Sequence, residues 1–227
     1  MDKYRHEYKY IIDPGQQRIL HMKAKALMLP DPHAGEDGGY TIRSLYFDDC
    51  SDTCFFQNES GCDPRAKYRV RFYDEDTSFI RLEKKIKRRG MTLKHSCSLT
   101  EEEARILASG GFPDINSDMP EEKRRLLLEM TSHGLMPKVI VTYRRIPFVY
   151  SAGNVRVTFD GCITSSDEAS RFLSCDYRQR PVLPTGKCIL EVKWDELLPV
   201  HIKRMMQLDT LQWSTFSKYY TCRLVVF

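Results

Sequence analysis

Charged and apolar residues alternate with a period of two along five stretches of this chain, the spacing of side chains that take opposite faces of a β-strand. Near the start, Arg5, Glu7 and Lys9 share one parity while Tyr8, Tyr10 and Ile12 take the other. Further on, Arg69 and Arg71 oppose Val70 and Phe72, and Glu83, Lys85 and Lys87 oppose Ile80, Leu82 and Ile86, with Lys84 interrupting the apolar side. The pattern returns twice: Arg156, Thr158 and Asp160 oppose Val155, Val157 and Phe159, and Glu191 with Lys193 opposes Leu190, Val192 and Trp194. Together with three runs rich in β-branched and aromatic residues, these predict eight strands, at 4–12, 40–48, 66–73, 79–88, 91–97, 138–148, 154–164 and 187–194.

Helix signals fall between the strands. Asp13-Pro14-Gly15-Gln16 supplies an N-cap, a proline at the first helical position and a glutamine at the third, predicting a helix to about residue 29 that Pro30 and Pro32 end. Thr100 followed by Glu103 is a capping box for a helix that stops at Gly110-Gly111, and Asp118-Met119-Pro120-Glu121 opens one that stops near Gly134. Residues 199–208 read as a helix whose basic Lys203 and Arg204 either help plug one end of the sheet or are simply solvated, and the chain closes on Ser217-Lys218-Tyr219 and an apolar tail. The order of elements predicts an α+β fold in a single domain spanning 1–227, an eight-stranded antiparallel β-barrel with helices packed on its outside.

Composition narrows the picture only slightly. The chain is 41% hydrophobic and 29% charged, the balance of a globular protein. Its 35 Lys+Arg against 31 Asp+Glu leave a net charge of +4, too small an excess to point to nucleic acid or membrane. No run of about 18 apolar residues and no signal-peptide pattern occurs. Cys50, Cys54, Cys62, Cys97, Cys162, Cys175, Cys188 and Cys222 form no CxxC pair and no zinc spacing with histidine, so they read as reduced thiols of a cytoplasmic protein. His6, His21, His33, His95, His133 and His201 are scattered with no nucleophile or metal geometry to pair them. Arg43 and Arg65 read as surface charge or as the rim of a tunnel mouth.

The charged parity carries the functional argument. A solvated sheet face mixes Ser, Thr, Gln and both charge signs, whereas this face is mostly cationic with isolated carboxylates, and like charges at cross-strand distance repel. An anion would complete it, and arginine forks with lysine point charges hold phosphate oxygens well. If the sheet closes, the cations point inward, the apolar faces point outward, and a slender polyanion fits between them. The few carboxylates are then candidates for Mg²⁺ or Mn²⁺, typically held by one or two carboxylates together with substrate phosphates.

Seven short motifs in order resemble the VTC domain, the polyphosphate polymerase module of the vacuolar transporter chaperone complex, within the triphosphate tunnel metalloenzymes of the CYTH-like superfamily. They are Arg5-His6-Glu7-Tyr8-Lys9-Tyr10, Ser44-Leu45-Tyr46-Phe47-Asp48, Lys67-Tyr68-Arg69-Val70-Arg71 with Leu82-Glu83-Lys84-Lys85, Tyr143-Arg144-Arg145, Val155-Arg156-Val157-Thr158-Phe159-Asp160, Leu190-Glu191-Val192-Lys193 and Ser217-Lys218-Tyr219. The resemblance implies a tunnel in which Lys9, Arg69, Arg71, Lys85, Arg145, Arg156 and Lys218 grip phosphates. Arg5, Lys87, Lys94 and Lys193 are added as substrate-binding residues, and Glu191, Glu7 and Glu83 as metal candidates; Glu7, Glu83 and Asp160 equally suit ion pairing with neighbouring cations. Arg5 stands where the wider superfamily's E-x-E-x-K opening has its first glutamate, which favours the polymerase branch. The implied activity is transfer of the γ-phosphoryl group of ATP to inorganic polyphosphate; the alternatives are a metal-dependent triphosphatase and a non-catalytic module that binds polyphosphate or an inositol pyrophosphate.

Overall fold

The computed structural model describes residues 4–205 and 211–226. In chain order the elements are β1 (His6–Ile12), α1 (Pro14–Leu27), β2 (Leu29–Pro30), β3 (Tyr40–Asp48), α2 (Thr53–Glu59), β4 (Arg65–Tyr73), β5 (Asp76–Arg88), β6 (Met91–Leu99), α3 (Glu101–Ala108), α4 (Glu121–Ser132), β7 (Met136–Tyr150), β8 (Val155–Ser166), β9 (Arg180–Pro181), β10 (Cys188–Trp194), α5 (Val200–Met205) and α6 (Lys218–Val226). Eight strands form one antiparallel path in the order β1-β10-β8-β7-β3-β4-β5-β6, with the two-residue β2 and β9 beside β7 and β8. The expected strands are therefore all present. The sheet curls into a half-barrel whose edge strands meet at one rung, where Arg5 and Thr92 exchange backbone N–H···O bonds of 2.9 Å in both directions.

Two of the expected helix starts form as their caps dictate. Asp13 accepts from the Gln16 N–H at 2.8 Å while Gln16 returns a bond to the Asp13 N–H, and Thr100 with Glu103 does the same for α3. The first helix stops at Leu27 rather than residue 29, because Leu29 and Pro30 extend to pair with Val149 and Phe148. Helix α4 begins at Glu121 behind Pro120 with no side-chain cap; the Asp118 N–H instead bonds to the Asn116 side chain.

The core lies outside the curl. One apolar cluster joins the convex face of β3 to β6, including Leu45, Val70, Phe72 and Leu82, to Leu107 of α3 and Leu126, Leu127 and Met130 of α4. A second joins Val155, Val157, Phe159, Leu190 and Val192 to Leu20 and Ala24 of α1 and Ile202 and Met205 of α5. Lys84, the exception to the apolar parity of β5, is resolved here: its ammonium reaches Glu129 of α4 at 2.6 Å, and Tyr68 donates to the same carboxylate at 3.0 Å. Arg43 is neither surface nor tunnel rim. It is 5% exposed on the convex side, donates to the Tyr177 hydroxyl at 2.7 Å and lies over the Phe72 ring at 5.2 Å.

A third cluster sits on the concave face, where Tyr46, Val139, Val141, Ile163 and Ile189 meet Tyr219 and Cys222 of α6 and Phe55 of α2. Helix α6, an apolar tail by sequence, is thus the element that fills one end of the curl, in place of residues 199–208. Helix α5 packs on the outside instead, and residues 206–208 lie outside the described residues. Asp48, fully buried at the end of β3, fastens this plug: it accepts from the Cys54 and Phe55 N–H groups at 2.8 and 3.0 Å and from the Tyr219 hydroxyl. No helix among the described residues is long and apolar enough to cross a membrane. With the core outside the sheet, Leu127→Ala is expected to destabilise the fold by about 2–5 kcal/mol, measured as a lowered midpoint in urea denaturation.

Candidate functional site

Strand alternation and register bring the charged parity of seven strands onto one concave surface. Glu7 faces Lys193 and Lys9 faces Glu191 across β1 and β10; Arg145 faces Asp160 across β7 and β8; Arg69 faces Glu83 across β4 and β5. One rung is entirely basic, since Lys67, Lys85 and Lys94 are successive partners on β4, β5 and β6. Such a rung is unfavourable unless each ammonium finds its own partner. Lys85 lies 2.8 Å from Glu7 and Lys94 2.9 Å from Glu83, whereas Lys67 reaches only the neutral oxygens of Asn58 and Ser217, both at 2.6 Å.

The carboxylates are embedded among the cations. Asp160 takes Arg145 through two bonds of 2.7 Å and Lys218 at 2.6 Å. Glu191 holds Lys218 at 2.8 Å, Lys193 at 2.9 Å and Arg145 at 3.3 Å, with Lys9 at 3.7 Å. Glu83 lies behind Arg69 and Arg71, 2.6 and 3.9 Å away, and is 2% exposed. Burial alone would raise these acids; for Glu7 the lysines 85, 9 and 193, and for Glu191 the lysines 193, 218 and 9, outweigh it and hold the carboxyls well below the usual range. Burial pushes the Lys85 ammonium down to about 7 in spite of Glu7, and pushes Lys67 well down with help from Lys9, Lys85 and Arg65. Lys218 moves the opposite way, because Asp160 and Glu191 overcome its burial.

Two cavities meet in this surface and share Glu7, Arg69, Arg71, Lys85, Arg145 and Lys193 as a common waist. The wider, about 750 Å³, opens past Arg5, Lys94 and Arg156; the narrower, about 110 Å³, runs past Lys9, Lys67, Lys87 and Arg65 to Lys218 on α6. All eleven cations named from the sequence line one cavity or the other. Two of them are tied to acids outside the central cluster: Arg156 pairs with Asp31 and the Tyr40 hydroxyl, and Arg5 holds Asp195 at 2.8 Å and the Asn154 carbonyl at 2.7 Å. Sequence reasoning passed over Lys67 as a site residue although it shares the parity of Arg69 and Arg71. It also passed over Tyr46, Tyr143 and Ser44, whose hydroxyls accept from Arg69 at 2.9 Å, Arg71 at 3.3 Å and Arg71 at 3.0 Å. Asp31, in a loop after β2, carried no pattern that could have announced it.

Among the described residues no three His, Cys, Asp or Glu side chains cluster as a ready-made metal cage. Glu7 and Glu191, however, share two ammonium groups. Lys9 lies 3.7 Å from both, and Lys193 lies 3.5 and 2.9 Å from them. A pair of carboxylates already converging on one positive charge, beside cations able to turn toward phosphate, fits a hard divalent ion that takes most of its ligands from substrate and water.

In sequence, no curated protein matches this chain. Among solved structures it is similar to a putative adenylyl cyclase from Hippeastrum described as having a dominant triphosphatase activity, with a TM-score of 0.57 and 13% identity over 99% of this chain and 96% of that one. A putative adenylate cyclase from Bacillus halodurans matches with a TM-score of 0.51 and 14% identity, covering 91% and 87% of the two chains. A third, from Vibrio parahaemolyticus, gives 0.50 and 10% identity over 97% and 98%. At such identities these likenesses speak for the tunnel fold alone. The family model of the VTC domain matches residues 4–227, and the chain belongs to that family.

Proposed function

We propose that this domain polymerises phosphate, moving the γ-phosphoryl group of ATP onto the end of an inorganic polyphosphate chain inside the basic tunnel. The observation that carries the reading is the waist, where Arg69, Arg71, Lys85, Arg145 and Lys193 converge from four strands between the two cavities. A terminal phosphate oxygen of the acceptor attacks the γ-phosphorus, the bond to the β–γ bridging oxygen breaks, and ADP leaves with that electron pair. No protein nucleophile is needed, so the work of the site is alignment and charge stabilisation.

Arg69 and Arg71, held rigidly by Glu83, Tyr46, Tyr143 and Ser44, would grip the transferring group. Arg145 and Lys218, anchored on Asp160, would meet it from the opposite wall. Lys9, Lys85, Lys193 and Arg156 would hold the remaining phosphates, with Lys87, Lys94 and Arg5 nearer the mouths. Glu191 and Glu7 would hold Mn²⁺ or Mg²⁺, and Glu83 supports Arg69 from behind. A bound divalent ion would offset the charge that develops on the bridging and γ-phosphate oxygens.

Triphosphate hydrolysis would use the same cations with water as acceptor, and a binding module would use them without turnover. Incubation of the purified protein with ATP and Mn²⁺, with products resolved by length, is expected to yield long chains. Orthophosphate alone would favour hydrolysis, and unchanged ATP would favour a binding module. Glu191→Gln is expected to lower turnover on the order of 10²-fold while triphosphate binding, followed by calorimetry, persists; full turnover in this variant would remove Glu191 from the metal site.

Lys67→Met tests the buried ammonium. Because burial and like charge lower the folded-state pKa of Lys67, this lysine opposes folding fully below that lowered pKa, and the cost fades as pH rises to the unfolded value near 10.4. The variant is therefore expected to unfold at higher urea at pH 7 while binding polyphosphate more weakly.

A further inference from the structure

We infer that the rim of the wide mouth is a nucleobase platform, formed by Phe79 and Tyr73 with Tyr40 behind them, on which the donor nucleotide stacks with its phosphates directed to the waist. This rests on the phosphoryl-transfer reading above and names the part of the substrate that the cations do not explain.

Three adjacent strands place these rings. Tyr40 on β3, Tyr73 on β4 and Phe79 on β5 lie in the wide cavity; Tyr73 and Phe79 share the parity of the concave cations of their own strands, and Tyr40 that of Ser44 and Tyr46. Tyr40 and Tyr73 meet edge to face at 5.6 Å, and Phe79 lies 6.3 Å from Tyr73 with the ring planes 34° apart. Phe79 is 53% exposed and belongs to none of the three apolar clusters, unlike Ile80 and Leu82 beside it on β5. The Arg81 guanidinium lies over the Phe79 ring at 5.7 Å, but a half-exposed phenylalanine outside every apolar cluster adds little to the core. Every base presents a π-face, and stacking on an aromatic ring is a sequence-tolerant way to hold one.

The rim is joined to the phosphate-binding layer. The Arg71 guanidinium outweighs the burial of the Tyr73 phenol and holds it below its ordinary range, and the Tyr40 hydroxyl accepts from Arg156 at 3.1 Å. Phe79 precedes Glu83 by four residues on the same face of β5, roughly 13 Å at strand rise, which leaves room for a ribose and the inner phosphates before Arg69 and Arg71. Charge changes sign over that distance. Asp74 and Asp76 also line this mouth, held by bonds from the Thr41 N–H at 2.6 Å and the Ser78 N–H at 2.8 Å. Carboxylates repel phosphate and accept from ribose hydroxyls or an exocyclic amine, so this end suits the nucleoside and not another stretch of polyphosphate.

The test compares ATP with inorganic tripolyphosphate, which has the phosphates and lacks the base. Calorimetric binding of both is measured for the unaltered protein, Phe79→Ala and Phe79→Tyr; the exposure of Phe79 makes these variants benign to the fold, which thermal denaturation verifies. Phe79→Ala is expected to weaken ATP about tenfold and tripolyphosphate less than twofold, with Phe79→Tyr restoring ATP. If Phe79→Ala leaves ATP unchanged, or weakens both ligands equally, the platform is overturned while the phosphate tunnel stands. If the unaltered protein binds neither ligand, the tunnel reading falls and the platform with it.

Discussion

The constraint on which the structure depends is that positive charge has been packed against positive charge on the concave side of a sheet. Antiparallel pairing sets Lys67, Lys85 and Lys94 side by side, and Arg69 and Arg71 share a face two residues apart. At these separations in a low-dielectric interior, repulsion is far stronger than in water. The protein offsets it with four acids, each serving several cations: the buried Glu83, Asp160 and Glu191 and the partly buried Glu7. They leave excess positive charge, and Lys67 has been given neutral oxygens where an acid would neutralise it. Burial of ammonium groups without full compensation is unfavourable to folding, so the residual charge is best understood as reserved for a ligand that brings its own oxygens.

That use of the concave face dictates the remaining architecture. A sheet whose inner side is charged must find its apolar partners on the outer side, and α1, α3, α4 and α5 supply them. The third cluster is the informative departure. At one end the inner parity turns from Arg, Lys and Glu to Val139, Val141, Ile163 and Ile189, and there α6 enters the curl and brings Lys218 to Asp160 and Glu191. One helix therefore both walls the narrow cavity and completes its charge network.

What was legible in the sequence is what period-two alternation encodes: the strands, their charged side and the cations that converge. Alternation says nothing about partners from other elements, and this is where the reading fell short. Lys84 broke the parity because its partner, Glu129, is on a helix far along the chain. Arg43 looked like surface charge because nothing local announces that Tyr177 and Phe72 will enclose it. The plug was assigned to the basic segment near residue 200, whereas the short apolar tail, with no cap signal of its own, is drawn in by Tyr219 bonding to the buried Asp48. Contacts distant in sequence decided each of these, and no local window contains them.

The two openings differ in a way that bears on which phosphate chemistry the tunnel performs. Aromatic rings line both sides, but on the wide side Asp74 and Asp76 also interrupt the cations, whereas on the narrow side Lys67, Lys87 and Arg65 line the cavity with Asn58, Ser214, Thr215 and Ser217 among their neighbours. A hydrolase needs one positive approach and an open path for water and orthophosphate. A polymerase needs a second anionic partner held in line behind the reacting phosphorus, on the side away from the nucleoside, and therefore cations beyond the waist. On the proposed reading the cations of the narrow side would hold that partner, in a channel with little free volume, so that a polyphosphate end seated among them would displace the water that competes with it for the γ-phosphoryl group.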